Sequence, residues 1–474
     1  MNSSNFYLDL LKDFSHNPTV MQDRALNLIS NFLINQNYNE LFLLKGFAGT
    51  GKTSIVGTLV KNSWKIKKNL ILLAPTGRAA KVIGNYAKKE AFTIHKKIYY
   101  PKSKSGGGIS FSLQKNKHKN TVFIVDEASM IPDTNPDSTL FETGSLLSDL
   151  IQYVYSGHHC QLILIGDTAQ LPPIKLDISP ALDKSRLESH YGKTVIAIEL
   201  NEVVRQEKES GILWNASNIR ENLKDQFYDT FKFDKENFTD IIRPYDGQEL
   251  MSALEDSYLN SINEESVFIV RSNKRAFLYN QNIRSRILFK EEELSVGDHL
   301  MVVKNNYFWI DTNSAAGFIA NGDIIEILEI YSIKELYGFK FATVNVQMVD
   351  YPTMSAFETV LILNTLSSDT ASLSFEDSNK LYQEVLKDYA HETSKYKKFL
   401  SVKKNIYFNA LQVKFSYAIT CHKSQGGQWD TVFVEQPYLP NGVDKDYLRW
   451  LYTAITRAKK KLYLIGFKDD FFNI

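Results

Sequence analysis

The sequence predicts an α/β chain with two doubly wound parallel-sheet domains in tandem. Three observations carry that expectation. Short apolar runs without strict alternation recur at Leu41–Leu44, Leu70–Ala74, Val122–Val125, Leu162–Ile165 and Val195–Leu200. Strands buried on both faces of a parallel sheet look like this. Helical patterns separate them, as at Arg78–Ala87 and Leu140–Tyr155. A second set of runs follows at Val267–Val270, Phe415–Ile419, Val432–Glu435 and Leu462–Ile465, which predicts the second sheet.

The bulk numbers agree. A chain of 474 residues has room for two to four domains. Lys+Arg 55 against Asp+Glu 54 leaves a net charge of +1. That excludes a histone-like coat of positive charge but leaves a basic channel open. Cys160 and Cys421 are the only cysteines and lie far apart, so no disulfide framework is expected and a reducing compartment is. Met1–Phe6 is polar, with no leader pattern. No apolar run approaches the about 18 residues of a membrane span. The expected setting is cytoplasmic, without a membrane partner.

The first strand runs into Gly46-Phe47-Ala48-Gly49-Thr50-Gly51-Lys52-Thr53, followed by Ser54 and a helical pattern. G-x-x-x-x-G-K-[ST] between a strand and a helix is a P-loop. Its glycines let the backbone curl so that successive N–H groups face phosphate oxygens. Lys52 is placed to reach the β- and γ-phosphates of ATP, and the Thr53 hydroxyl to ligate Mg²⁺. The nucleotide-binding set is therefore Gly46, Ala48, Gly49, Thr50, Gly51, Lys52, Thr53 and Ser54.

Between Ile98 and Asn120 a lysine-rich segment has two short β-like arms around Ser105-Gly106-Gly107-Gly108, which predicts a hairpin. Asp126-Glu127 ends the strand Val122–Val125, where a P-loop domain carries its carboxylate pair. Asp126 is the second metal candidate, and Glu127 the group that polarises the attacking water. Gly166-Asp167-Thr168-Ala169-Gln170-Leu171-Pro172-Pro173 follows the next strand. Gln170 is a candidate γ-phosphate sensor; an ordinary turn is the alternative. Arg205 and Arg457 are cations suited to neutralise charge developing on the γ-phosphate, with a surface salt bridge as the alternative for each.

The second set of strands is split by an insertion from Gly297-Asp298 to about Leu411. Its first part is turn-rich and β-like, a small barrel; its later part, Phe375 to Lys404, reads as a surface helix pair or else a charged linker. In Phe415 to Gly427, a strand enters a polar turn where Thr420, His422, Lys423 and Ser424 offer donors to phosphate oxygens. Cys421-His422 and His158-His159-Cys160 lack a second ligand pair at zinc spacing, so no metal is assigned to them.

Taken together, the motifs resemble those of superfamily 1 helicases of the 5′-to-3′ branch, the RecD-like and phage Dda-type DNA helicases. GFAGTGKTS, APTGRAAKV (Ala74–Val82), VDEAS (Val125–Ser129), GDTAQLPPI, Arg205, Thr420-Cys421-His422-Lys423-Ser424-Gln425-Gly426 and LYTAITRA (Leu451–Ala458) stand in the family's order. The resemblance implies two RecA-like P-loop domains. The first would span 1–97 and 120–245, with a duplex-splitting hairpin at 98–119. The second would span 246–296 and 412–474, with an SH3-like barrel and helical insertion at 297–411. It implies an ATP-dependent helicase moving 5′ to 3′ on single-stranded DNA; an RNA helicase of the related branch, or a translocase that needs a partner, is the alternative. It places Gln22 on the adenine, Thr76 and Gly77 on the DNA backbone, and Arg457 as an arginine finger supplied in cis. The expected partners are single-stranded DNA, the fork junction, and a replication or repair protein, for a chain acting as a monomer. Gln428 departs from the pattern: many relatives have an acid there that bonds the ribose.

Overall fold

The computed structural model describes residues 2–35, 37–103, 109–132, 144–174, 176–202, 210–260, 265–311, 314 and 316–473. Strands β1 (Glu40–Gly46), β2 (Asn69–Ala74), β3 (Ala91–Thr93), β4 (Tyr99–Ser103), β5 (Ile109–Leu113), β6 (Thr121–Val125), β7 (Gln161–Gly166) and β8 (Thr194–Leu200) belong to the first domain. Six of them form a parallel sheet in the order β3-β2-β6-β7-β1-β8. The apolar runs of β1, β6 and β7 are buried on both faces, which is why they do not alternate. β4 and β5 pair antiparallel from Tyr99↔Leu113 to Ser103↔Ile109, the two arms of the expected hairpin; its glycine turn lies outside the described residues.

Strands β9 (Ile241–Ile242) and β10 (Ser266–Val270) open the second domain. β11 (His299–Val302), β12 (Ile324–Leu336), β13 (Phe339–Met348), β14 (Phe357–Ile362) and β15 (Leu411–Phe415) close into the expected barrel. β16 (Ala418–Thr420), β17 (Trp429–Glu435) and β18 (Ala458–Ile465) complete a second parallel sheet, ordered β16-β10-β17-β18-β9. The charged segment forms a helix pair rather than a linker. Helices Phe375–Asp388 and Lys395–Lys404 bury Leu381, Val385 and Val402 against Phe339, Phe341, Val360 and Ile362 of the barrel.

Three sequence expectations need correction. The boundary between the domains falls before residue 245, because Ile241–Ile242 pairs with Leu462 and Tyr463 of β18 in the second sheet. Phe415–Ile419 is not one strand: β15 ends in the barrel and β16 begins in the second sheet. Tyr417 turns the corner, its hydroxyl donating to Asp298 Oδ1 at 3.2 Å and accepting from His299 N–H at 3.0 Å. An apolar run does not reveal a change of sheet. The helix read as Leu140–Tyr155 spans Leu146–Ser156, because Ser145 caps it by accepting the Ser148 N–H; residues 140–143 lie outside the described set.

Candidate active site

Parallel strands bring their carboxyl ends to one edge of a sheet. Here that edge carries the P-loop after β1, Asp167 after β7, Asp126-Glu127 after β6 and Thr76 just beyond β2. The order β2-β6-β7-β1 therefore gathers segments that are far apart in sequence.

In the P-loop, Gly49 (φ 74°) and Gly51 (φ 81°) lie in the left-handed region that a Cβ disfavours, and the helix Lys52–Asn62 starts directly after Gly51. A Cβ on Gly46 would sit 2.8 Å from Thr50 Oγ1 and 3.1 Å from Leu200 Cβ, so the strand-to-loop turn admits no side chain. The Lys52 ammonium donates to the Gly46 and Phe47 carbonyls, both at 2.8 Å. Thr50 Oγ1 donates to Phe47 O at 2.8 Å. Thr53 lies in the first turn of the helix, and Ser54 shares a 3.1 Å hydroxyl contact with Tyr86.

Gln22 is fully buried. Its Nε2 donates to Thr50 O at 3.0 Å, and its Oε1 accepts the Thr19 N–H at 2.9 Å in a capping box. Both ends of the amide thus brace the P-loop against the helix Val20–Ile34.

Asp126 N–H donates to Leu73 O, and Glu127 N–H to Asp126 Oδ1, both at 2.9 Å. Desolvation, with the Glu127 carboxylate beside it, pushes Asp126 up to about 7. Glu127 has φ 52°, a left-handed backbone that is strained for a non-glycine residue. Two adjacent carboxylates suit a hard divalent cation that takes its remaining ligands from phosphate and water. Gln170 is buried, and its Oε1 has no hydrogen-bond partner among the described residues.

The second domain meets this edge directly. Tyr452 OH accepts the Ala48 N–H at 2.9 Å and donates to Asp167 Oδ2 at 2.7 Å. Leu171 N–H donates to Thr453 Oγ1, and Gln425 Nε2 to Leu171 O, both at 2.8 Å. Arg457 is buried, with Nε on Thr453 O (3.0 Å), Nη1 on Gly427 O (3.3 Å) and Nη2 on Thr456 Oγ1 (3.3 Å). All three of these partners belong to its own domain. Arg205 lies outside the described residues.

Thr76 caps the helix Gly77–Ala87 through Ala79 N–H, and faces the polar turn of the second domain. A Cβ on Gly426 (φ 76°) would lie 2.7 Å from Ala79 Cβ and 3.3 Å from Thr76 Oγ1. Thr420 and Ser424 are buried, the latter donating to Cys421 O at 2.7 Å. His422 and Gln428 are exposed. Lys423 and Lys414 line one small cavity with Thr420 and Asn280. Burial brings each lysine down to about 8; Lys414 adds to the effect on Lys423. The Tyr452 and Gln425 contacts have no local sequence signal, nor does Lys81, which reaches Asp323 of the barrel at 2.8 Å. Each partner lies a domain away.

Residues 29–233 match the AAA domain family and residues 415–465 the UvrD-like helicase C-terminal domain family. The ATP-dependent DNA helicase dda of Enterobacteria phage T4 is 22% identical over 478 residues, 94% of this chain and 98% of the phage protein. Both matches fall where the motifs stand in order along the same chain. The chain is similar to superfamily 1 helicases of the 5′-to-3′ branch. It is also 25% identical to the uncharacterized protein R530 of Acanthamoeba polyphaga mimivirus, over 93% of this chain and 98% of that one. A solved Pif1 helicase from Bacteroides, in complex with ADP-AlF3 and ssDNA, is 16% identical, covers 96% of this chain at 94% of its own length, and superposes with a TM-score of 0.49.

Proposed function

We propose that the chain is an ATP-driven motor that moves 5′ to 3′ on single-stranded DNA and separates the duplex ahead of it. One observation carries the reading. The segment after β7 is hydrogen-bonded to the second domain at Tyr452, Thr453 and Gln425, so the edge bearing the P-loop is tied to the turn bearing Thr420, His422, Lys423 and Ser424. A change in the nucleotide site therefore has a physical route to the nucleic-acid face.

ATP would be held by Gly46, Ala48, Gly49, Thr50, Gly51, Lys52, Thr53 and Ser54, with Lys52 leaving its own loop carbonyls for phosphate oxygens. Mg²⁺ fits at Thr53 and Asp126, where it would neutralise phosphate charge. Glu127 would orient water, Gln170 would sense the γ-phosphate, and Arg205 and Arg457 would supply positive charge when the cleft closes. Gln22 acts on the nucleotide through Thr50, and Gln428 is placed to bond the ribose. Thr76, Gly77, Thr420, His422, Lys423 and Ser424 grip the DNA backbone, and such contacts are indifferent to sequence. The β4–β5 hairpin is placed to divide the strands at a fork. The motor works as a monomer, in the cytoplasm, on replication, recombination or repair intermediates.

Strand displacement on matched partial duplexes tests this. Unwinding from a 5′ tail alone is expected. Unwinding from a 3′ tail alone would overturn the polarity, and ATP hydrolysis indifferent to DNA would overturn the motor.

A further inference from the structure

The Tyr452 hydroxyl joins the two domains where the P-loop and the segment after β7 come together. It is fully engaged: it accepts from Ala48 N–H and donates to Asp167 Oδ2. The side chain is 1% exposed, so neither bond is shared with solvent. Burial and the Asp167 carboxylate hold the phenol well above its usual range, so it stays a donor. Asp167 uses its other oxygen on Ala169 N–H at 2.9 Å, which sets the turn leading to Gln170.

Both sides of this hydroxyl connect to further hydrogen-bonded groups. On one side, Ala48 follows Phe47, whose carbonyl receives Lys52 and Thr50 and whose ring lies 4.4 Å under the Arg220 guanidinium. Drawing Lys52 toward phosphate frees that carbonyl and shifts the loop around Ala48. On the other side, Leu171 is bonded through both its N–H and its carbonyl, to Thr453 and Gln425. Gln425 adjoins Gly426 and Gly427, where a Cβ would press on Ala79 and Thr76 and on Arg78. Thr453, next to Tyr452, also receives Arg457 Nε on its carbonyl.

We infer that Tyr452 is the positioning residue that couples the P-loop to the nucleic-acid face, by fixing Ala48 and Asp167 on a single hydroxyl. The inference rests on the motor reading above and adds to it a residue that touches neither ATP nor DNA. The ring fills the core between the domains, and the oxygen alone carries the coupling. Tyr452→Phe removes only that oxygen.

The test is steady-state ATP hydrolysis by the full chain, with and without a single-stranded oligothymidylate. The stimulation factor is the ratio of the two maximal rates. Tyr452→Phe is expected to lower that factor about 5- to 150-fold, the range of ordinary inter-site coupling. The loss should appear in kcat with DNA, while the KM for ATP moves far less. Asp167→Asn removes the same link from the other end and is expected to do likewise, so the test stands if either variant folds poorly. The double variant should lose no more than the worse single one, since both break one connection. A stimulation factor within twofold of wild type in a folded Tyr452→Phe chain, or additive losses in the double variant, would overturn the inference. A wild-type chain whose hydrolysis ignores DNA overturns the motor reading, and this inference falls with it.

Discussion

The Arg78 guanidinium lies 4.2 Å over the Trp429 ring, so the helix Gly77–Ala87 of the first domain and β17 of the second meet through a cation–π contact. Arg78 is buried, and its Nη2 also reaches Glu265 at 3.3 Å. A Cβ on Gly427 would sit 2.8 Å from Arg78 Nε and 2.6 Å from Trp429 Cη2, so the glycine makes room for the pair. Arg78→Met keeps the apolar stem on the ring and removes the charge. The contact contributes about 0.5–2 kcal/mol. If closure of the cleft uses it, the ATP concentration for half-maximal hydrolysis rises roughly 2- to 30-fold. An unchanged value would show that closure does not depend on this contact.

Lys52→Ala removes the ammonium that now rests on Gly46 O and Phe47 O. No other lysine lies within the P-loop to replace it. Hydrolysis should fall roughly 10²- to 10³-fold, the cost of losing one oriented donor to developing charge. Binding of single-stranded DNA without nucleotide should persist, as measured by fluorescence anisotropy. Residual hydrolysis above a tenth of wild type would show that Lys52 does not meet the γ-phosphate.

The nucleotide half of the site was legible because its chemistry is contiguous. Gly46 to Thr53 specifies strand, curled loop and helix start in eight successive residues, and Asp126-Glu127 is marked by the buried strand before it. The inter-domain half was not legible. Tyr452 and Ala48, Gln425 and Leu171, and Arg78 and Trp429 are paired by tertiary folding alone, and no local periodicity encodes them. Phe415–Ile419 failed as a strand for a related reason: hydrophobicity reports burial and says nothing of which sheet does the burying. The brace made by Gln22 was not legible because its partner, Thr50 O, is a backbone atom from another element.

Asp298 anchors the barrel to the second domain. It is fully buried and receives Arg284 through Nε (3.0 Å) and Nη2 (2.9 Å), the Ser295 N–H (2.8 Å) and the Tyr417 hydroxyl (3.2 Å). Arg284 is itself 2% exposed. Asp298→Ala leaves that guanidinium buried without its counter-ion, which costs about 3–5 kcal/mol. Urea unfolding should show the loss as a lowered midpoint. Asp298→Ala/Arg284→Met, which removes this pair and leaves only the less buried Lys290 without its partner, should recover part of it. A double variant no more stable than Asp298→Ala would indicate that packing, not the stranded charge, sets the cost.

Lys423 gives the clearest pH dependence. Burial and nearby Lys414 bring it down to about 8, from 10.5 in the unfolded chain. Between those values the unfolded state binds the proton and the folded state has released it, so stability rises with pH across that window. Below about 8 the fold carries the full cost of a buried charge. Phosphate binding needs that same charge, so nucleotide-free affinity for single-stranded DNA should fall as pH rises from 7 to 9. The two trends therefore run in opposite directions through one side chain. Lys423→Met should weaken binding at pH 7 and flatten the decline toward pH 9. Anisotropy titrations at fixed ionic strength measure this, since each phosphate contact also adds to the salt dependence. If Lys423→Met binds as wild type does at pH 7, Lys423 does not contact the DNA backbone.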